Sequence, residues 1–240
     1  MLLKIALNGA RFKSEHEFIP HSIEEIIKEV QSIYPLGYQV FHIHCYNSNG
    51  HESLEPKDVA QLVTSIKRIS SQIQLSISTG AWIEPDLQRR REMIENWEIL
   101  PDLASVNIIE EGAIEVAQLL IAKGVLVEVG LNNKESAEIF ISSSLNQGCQ
   151  RILIEPEAKN IDEAIKTLEA IEQILNTNGN QLKRLLHGFN GVAWELMKEA
   201  KQRGYDSRVG MEDTLDIGQG KRVKSNLELV EYARKILNIS

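Results

Sequence analysis

Eight times along this chain a short apolar run of strand character gives way to a segment of helical period, and that alternation limits the fold more than any other feature. The strand-like runs cover residues 2–7, 39–44, 73–78, 103–108, 125–129, 151–155, 182–187 and 206–210. Ser22 opens the first helix, with Glu25 three residues on to complete a capping box. The helices that follow cover residues 56–70, 85–97, 113–122, 134–145, 162–175, 192–203 and 226–237. Pro56 suits the first position of the second, where its missing N–H costs nothing. Strand-then-helix units joined by short loops build a parallel sheet, and eight of them predict closure into an α/β fold of the (β/α)8 TIM-barrel type, one domain over residues 1–240. An open doubly wound sheet is the alternative. Against it, the first strand runs into Asn8-Gly9-Ala10-Arg11, which is no dinucleotide-binding glycine loop.

Composition narrows the partners. The net charge of -8 disfavours nucleic acid, whose phosphates call for clustered Lys and Arg. Cys45 and Cys149 are too few for a disulfide framework and predict a reducing compartment. The N-terminus enters a strand without the sections of a signal peptide, and no apolar run nears the ~20 residues of a membrane span. A cytoplasmic protein without membrane contact is the expectation.

In such barrels chemistry sits at the C-terminal ends of the strands, so candidate residues can be read unit by unit. The second strand, Val40-Phe41-His42-Ile43-His44, sends both imidazoles to one face because strand side chains alternate. Near the eighth strand, Arg208, Gly210 and Glu212 share a face on an extended chain, next to the first strand. Two histidines and one carboxylate make a metal set with open positions, so His42, His44 and Glu212 are the candidate ligands, with zinc the first choice and another divalent ion the alternative. Polar strand ends add Asn8 and Arg11, Ser78-Thr79-Gly80, Asn107 with Glu110 beyond it, and His187-Gly188. Glu128 and Glu155 face the mouth on paper, whereas Trp82, Trp97, Trp194 and Cys45 read as packing.

These residues carry a resemblance over nearly the whole chain. Asn8-Gly9-Ala10, Phe41-His42-Ile43-His44, Ser78-Thr79-Gly80, Ala104-Ser105-Val106-Asn107, Leu186-His187-Gly188, Arg208-Val209-Gly210-Met211-Glu212-Asp213-Thr214 and Ser225-Asn226 resemble the β-keto acid cleavage enzyme family. The resemblance implies a zinc-bearing barrel that combines a β-keto acid with acetyl-CoA and releases acetoacetate and a new acyl-CoA. It implies that His42, His44 and Glu212 bind the metal, that Arg208 and Asp213 activate the substrate, and that Ser78 touches it. Asp213 is then the expected base and Arg208 its cationic partner, since guanidinium stays protonated. Substrate contacts are expected from Asn8, Arg11, Thr79, Asn107, Glu110, His187 and Gly188, and a homo-oligomer is expected.

Two departures shape the expected substrate. Where the 3-keto-5-aminohexanoate-cleaving member carries a glutamate after its Gly-Ala, this chain has Arg11, which favours an anionic or polar tail over an amino group. Glu110 stands near a position where that member has a small hydroxyl residue. The chain is also shorter than typical members, which leaves the acyl acceptor open. The alternatives are a metal-dependent aldolase or hydrolase of small keto acids without CoA, and a non-catalytic metal-binding barrel.

Overall fold

The computed structural model describes residues 1–218 and 220–238. Eight parallel strands close on themselves in sequence order, β1 pairing with both β2 and β8. They are β1 Leu3–Ala6, β2 Val40–Ile43, β3 Gln74–Ser78, β4 Leu103–Asn107, β5 Leu126–Leu131, β6 Cys149–Ile154, β7 Lys183–Leu186 and β8 Asp206–Val209. Between and after them run α1 Ile23–Ile33, α2 Pro56–Ile69, α3 Leu87–Glu95, α4 Ala113–Ala122, α5 Lys134–Ser142, α6 Ile161–Thr177, α7 Ala193–Arg203 and α8 Asn226–Leu237. The expected (β/α)8 barrel is therefore the fold.

Local chemistry places the helix starts. Ser22 and Glu25 form the full capping box at α1, Pro56 occupies the first turn of α2, and Asp86, Asn133, Asn160 and Ser225 cap α3, α5, α6 and α8. The outward faces of the strands make the main core. Ile5, Phe41, Ile43, Ile77 and Val129 are fully buried in one cluster with Ile26 and Val30 of α1 and Val59, Leu62 and Ile66 of α2. Cys45 joins that cluster as packing, and burial pushes its thiol up to about 12.

The inward faces are polar. Strand register puts Ala6 beside His42, His42 beside Ser76, Ser105 beside Glu128, Glu128 beside Arg151, and Lys4 beside Arg208. Lys4 crosses the interior to Glu128 and donates to Ser76 Oγ at 3.1 Å; Arg151 Nε lies 3.2 Å from the other oxygen of Glu128. Glu128 thus belongs to a fully buried ion cluster inside the barrel and does not reach the mouth. Burial opposes its ionisation, but Lys4 and Arg151 outweigh that and keep the carboxyl below its usual range.

Candidate metal centre and substrate cavity

The hydrogen-bonded part of β2 ends at Ile43, so His44 has left the ladder. Asn8 takes over there: its Oδ1 accepts from the His44 N–H at 2.9 Å, and its Nδ2 donates to the His44 carbonyl at 3.0 Å. A second asparagine fixes the opposite ligand. Asn226, at the start of α8, accepts from the Met211 N–H at 2.8 Å and donates to the Leu7 carbonyl at 3.1 Å. Two glycines let the β1 and β8 ends close up. A Cβ on Gly210 would lie 1.7 Å from the Ala6 carbonyl oxygen, and Gly9, at φ +61°, leaves room that the Glu212 side chain fills.

This brings His42, His44 and Glu212 together, with one donor atom from each lying within 4.8 Å of the others. Each Nε2 is 3.6 Å from a different oxygen of Glu212, too far for a hydrogen bond and suited to an ion between them. The outer nitrogens are held elsewhere. His42 Nδ1 sits 3.1 Å from Ser76 Oγ, which itself donates to Glu128 at 2.7 Å, and His44 Nδ1 sits 2.6 Å from Glu52 Oε1. With both Nδ1 atoms engaged in this way, the two Nε2 atoms are the ones left to face Glu212. In the absence of a cation, burial is outweighed by Glu212 and Glu52, which raise His44 to about 9, and a bound cation would take the place of its Nε2 hydrogen. Glu212 Oε2 is buried, with no hydrogen-bond partner among the described residues. A buried carboxylate with one unpartnered oxygen and an imidazole Nε2 3.6 Å from each of its oxygens fits a divalent cation of the kind that takes N and O ligands.

Charge around the centre follows from the same contacts. Burial works against ionisation of Glu212, but Arg208, His42 and His44 overcome it and hold the carboxyl well below the usual range. Arg208 Nη2 reaches Glu212 Oε1 at 2.9 Å and Asp213 Oδ1 at 2.5 Å, while its Nε lies 3.1 Å from both Asp213 oxygens. Asp213 is buried and does not line the cavity; it stands behind Arg208 and fixes it. That geometry departs from the expectation of Asp213 as the base that meets substrate.

A cavity of about 340 Å³ opens above the cluster. Of the sequence-derived candidates, Arg11, Ser78, Asn107 and Arg208 line it with the three ligands. The others lie outside its lining, each with a definite partner. Asn8 is saturated by His44, Pro20 and Gly9. Thr79 Oγ1 donates to the Ser105 carbonyl at 2.8 Å. Glu110 accepts from the Ala81 N–H at 2.6 Å and from Asn107 at 2.8 Å, clamping the loops after β3 and β4. Gly188 is where β7 meets α7, since a Cβ there would lie 2.5 Å from Leu196. His187, 1% exposed, lies between Glu155 and Asp213.

Three residues the sequence reading undervalued belong to the site. Trp82, expected as packing, is 47% exposed, lines the cavity and stacks near His44 with ring centroids 6.1 Å apart. Its indole N–H donates to Glu52 Oε2 at 2.9 Å, so one carboxylate ties the cavity wall to a candidate ligand. Glu155 lines the cavity opposite, 3.1 Å from His187 Nε2. The period of β6 already put Glu155 on the inward face with Leu153, whereas Glu52 follows a loop and carried no signal.

Comparison with known proteins agrees with this architecture. At 22% identity the chain aligns with the 3-keto-5-aminohexanoate cleavage enzyme of Fusobacterium nucleatum, covering 96% of this chain and 89% of that one. The enzyme of the same name from Acetoanaerobium sticklandii matches at 22% identity with the same coverage. Among solved structures, ObcA in complex with oxaloacetate superposes with a TM-score of 0.65 at 13% identity, over 92% of this chain and 63% of that one. The chain therefore spans less than two-thirds of ObcA. The 3-dehydroquinate dehydratase of Aquifex aeolicus superposes with a TM-score of 0.57 at 11% identity, over 98% of both chains. These superpositions speak to the barrel alone. The model of the beta-keto acid cleavage enzyme family matches residues 1–149 and 155–239, and the chain belongs to that family.

Proposed function

We propose that this protein is a zinc-dependent acyl-exchange enzyme that joins a β-keto acid to acetyl-CoA and releases acetoacetate and a new acyl-CoA. The observation that carries the reading is the convergence of His42 Nε2, His44 Nε2 and the unpartnered Glu212 Oε2 at the open end of the barrel. Zinc suits two imidazoles and a carboxylate, and when bound it supplies Lewis acidity toward the keto and carboxylate oxygens of the substrate.

The chain's own residues supply the rest. Arg208, held from behind by Asp213, presents a fixed cation beside Glu212 for the substrate carboxylate. Ser78, at the end of β3, offers a hydroxyl to an oxygen that gains charge. Arg11 lines the mouth, where its guanidinium donates to the Glu212 carbonyl and to Asn190, with Glu15 at 3.1 Å. A substrate with an anionic or polar tail can replace the exposed Glu15 carboxylate on Arg11, which an ammonium tail cannot do. Asn107 completes the wall. A cytoplasmic homo-oligomer accords with the reading, and among the described residues no helix is long and apolar enough to cross a membrane.

The test combines metal analysis with turnover. Zinc-loaded protein mixed with acetyl-CoA and a panel of β-keto acids is expected to form acetoacetate, and to favour a β-keto dicarboxylate over 3-keto-5-aminohexanoate. Turnover of keto acids without any requirement for acetyl-CoA would move the assignment to an aldolase or hydrolase. Bound metal without turnover of any member would leave a binding protein.

A further inference from the structure

The reading above requires a proton to leave C2 of the β-keto acid and a proton to return to C2 of acetoacetate, and the group that does this must touch the cavity. Asp213 does not: its Oδ1 is taken by Arg208 and its Oδ2 by Arg208 Nε, and it lies outside the lining. Glu155, at the end of β6, lines the same cavity as His42, His44, Ser78 and Arg208. Its Oε2 sits 3.1 Å from His187 Nε2, and among the described residues no hydrogen bond takes up Oε1. Its place depends on a glycine across the sheet, because a Cβ at Gly130 would fall 2.2 Å from Glu155 Oε1.

We propose that Glu155 is the catalytic acid–base residue, exchanging the proton at C2 while His187 holds it in place. The proposal rests on the acyl-exchange reading. In the forward sense the Glu155 carboxylate takes a C2 proton and leaves its electron pair as the enolate. That carbon attacks the acetyl thioester and expels the CoA thiolate. The thiolate adds to the original keto carbon, the C2–C3 bond breaks with its electron pair on C2, and Glu155 returns the proton. No proton is gained or lost over the cycle.

His187 suits both states of such a group. Burial and Arg208 push it down to about 3, so the imidazole is neutral and carries one hydrogen. With that hydrogen on Nδ1, facing Asp213 Oδ1 at 3.6 Å, Nε2 accepts from protonated Glu155. With it on Nε2, the ring donates to the ionised form. Glu155 itself is raised by burial to about 7, with Arg208 and Lys4 pulling it down and Glu212 and Glu128 pushing it up; Glu110 beyond β4, Glu157 on the cavity wall and Asp213 across His187 are further carboxylates around it. A group near neutrality is the kind that can both take and give a proton.

The test uses acetoacetate, the product common to any substrate tail. Zinc-loaded enzyme in D2O without acetyl-CoA is expected to exchange the C2 hydrogens of acetoacetate well above the buffer rate, followed by proton NMR. Glu155→Gln is expected to slow exchange about 100-fold or more while acetoacetate binding changes less than about threefold, the size of a lost general acid–base group. Glu155→Asp is expected to regain part of the rate, and the ionisation in the wild-type pH profile is expected to vanish in E155Q. Exchange in E155Q within about threefold of wild type, or with the same pH profile, overturns the proposal but leaves acyl exchange standing. Wild type that neither exchanges C2 nor forms acetoacetate with acetyl-CoA overturns both.

Discussion

The side chain of Asn8 holds both backbone groups of His44, accepting from its N–H at 2.9 Å and donating to its carbonyl at 3.0 Å. A side-chain amide thus stands in for a strand at the point where β2 has left the sheet, and a candidate metal ligand hangs on it. Asn8→Ala is expected to leave His44 underdetermined and its backbone groups unpaired. Zinc affinity should fall roughly 10–100-fold and stability by about 1–3 kcal/mol, read by competition with a chelator and by urea unfolding. Unchanged affinity would mean that the ladder alone places His44.

Glu52 links His44 Nδ1 to the Trp82 indole. Glu52→Gln keeps a hydrogen-bonding oxygen but removes the charge that makes the ring a better ligand, so a fall of roughly tenfold or more in zinc affinity is expected. Trp82 fluorescence should respond to zinc in the wild type and respond less in E52Q. A zinc titration with identical fluorescence curves in both proteins would show that the wall and the ligand are not coupled.

Glu155 also makes a stability prediction, with a definite sign. Its folded value, about 7, lies above the ordinary value, so the stability it contributes is present at low pH and lost as pH rises through about 7. Glu155→Gln stays neutral throughout. The variant should therefore melt higher than wild type at pH 8.5, by an amount worth about 1–3 kcal/mol, and the gap should close as pH falls below the unfolded value of about 4.3. Apo protein is the sample, because a bound cation would lower the carboxyl and shrink the gap. A wild type more stable than E155Q at pH 8.5 would contradict the assignment.

Lys4 and Glu128 form the interior cluster with Arg151. Lys4→Met strands part of a buried carboxylate charge, so a loss of about 3–5 kcal/mol is expected at pH 7 by urea unfolding. Glu128 is held below its usual range, so its contribution is present above its unfolded value of about 4.3 and lost as pH falls through the folded value. The gap between wild type and K4M should accordingly close in acid. A loss under about 1 kcal/mol at pH 7 would show that Arg151 alone satisfies Glu128.

Much of this was legible in the sequence because it rests on short-range rules. The strand period put His42 and His44 on one face, the Ser22 to Glu25 spacing gave the capping box, and Arg208, Gly210 and Glu212 stayed in phase past the end of β8. Boundaries moved where local chemistry overrode the apolar pattern. The helix expected through residue 145 stops at Ser142 and continues as a short 3-10 turn over Ser144–Gln147, and β5 runs on to Leu131. What stayed hidden depends on contacts between distant segments. Asn8 looked like a polar loop residue, and only its pairing with His44 makes it structural. Glu128 and Glu155 share one face pattern, yet the ion pair with Lys4 across the interior holds the first inside the barrel and the room at Gly130 seats the second at the cavity. Trp82 looked like packing because most tryptophans are, and its role follows from the loop after β3.

The central claim is that His42, His44 and Glu212 hold one ion, and zinc stoichiometry measured on wild type beside Glu212→Gln tests it most directly. The account predicts one zinc per chain in wild type and a large loss of affinity in E212Q, with the fold intact by circular dichroism. Wild type that takes up no divalent metal, or E212Q that binds zinc as tightly as wild type, would contradict it.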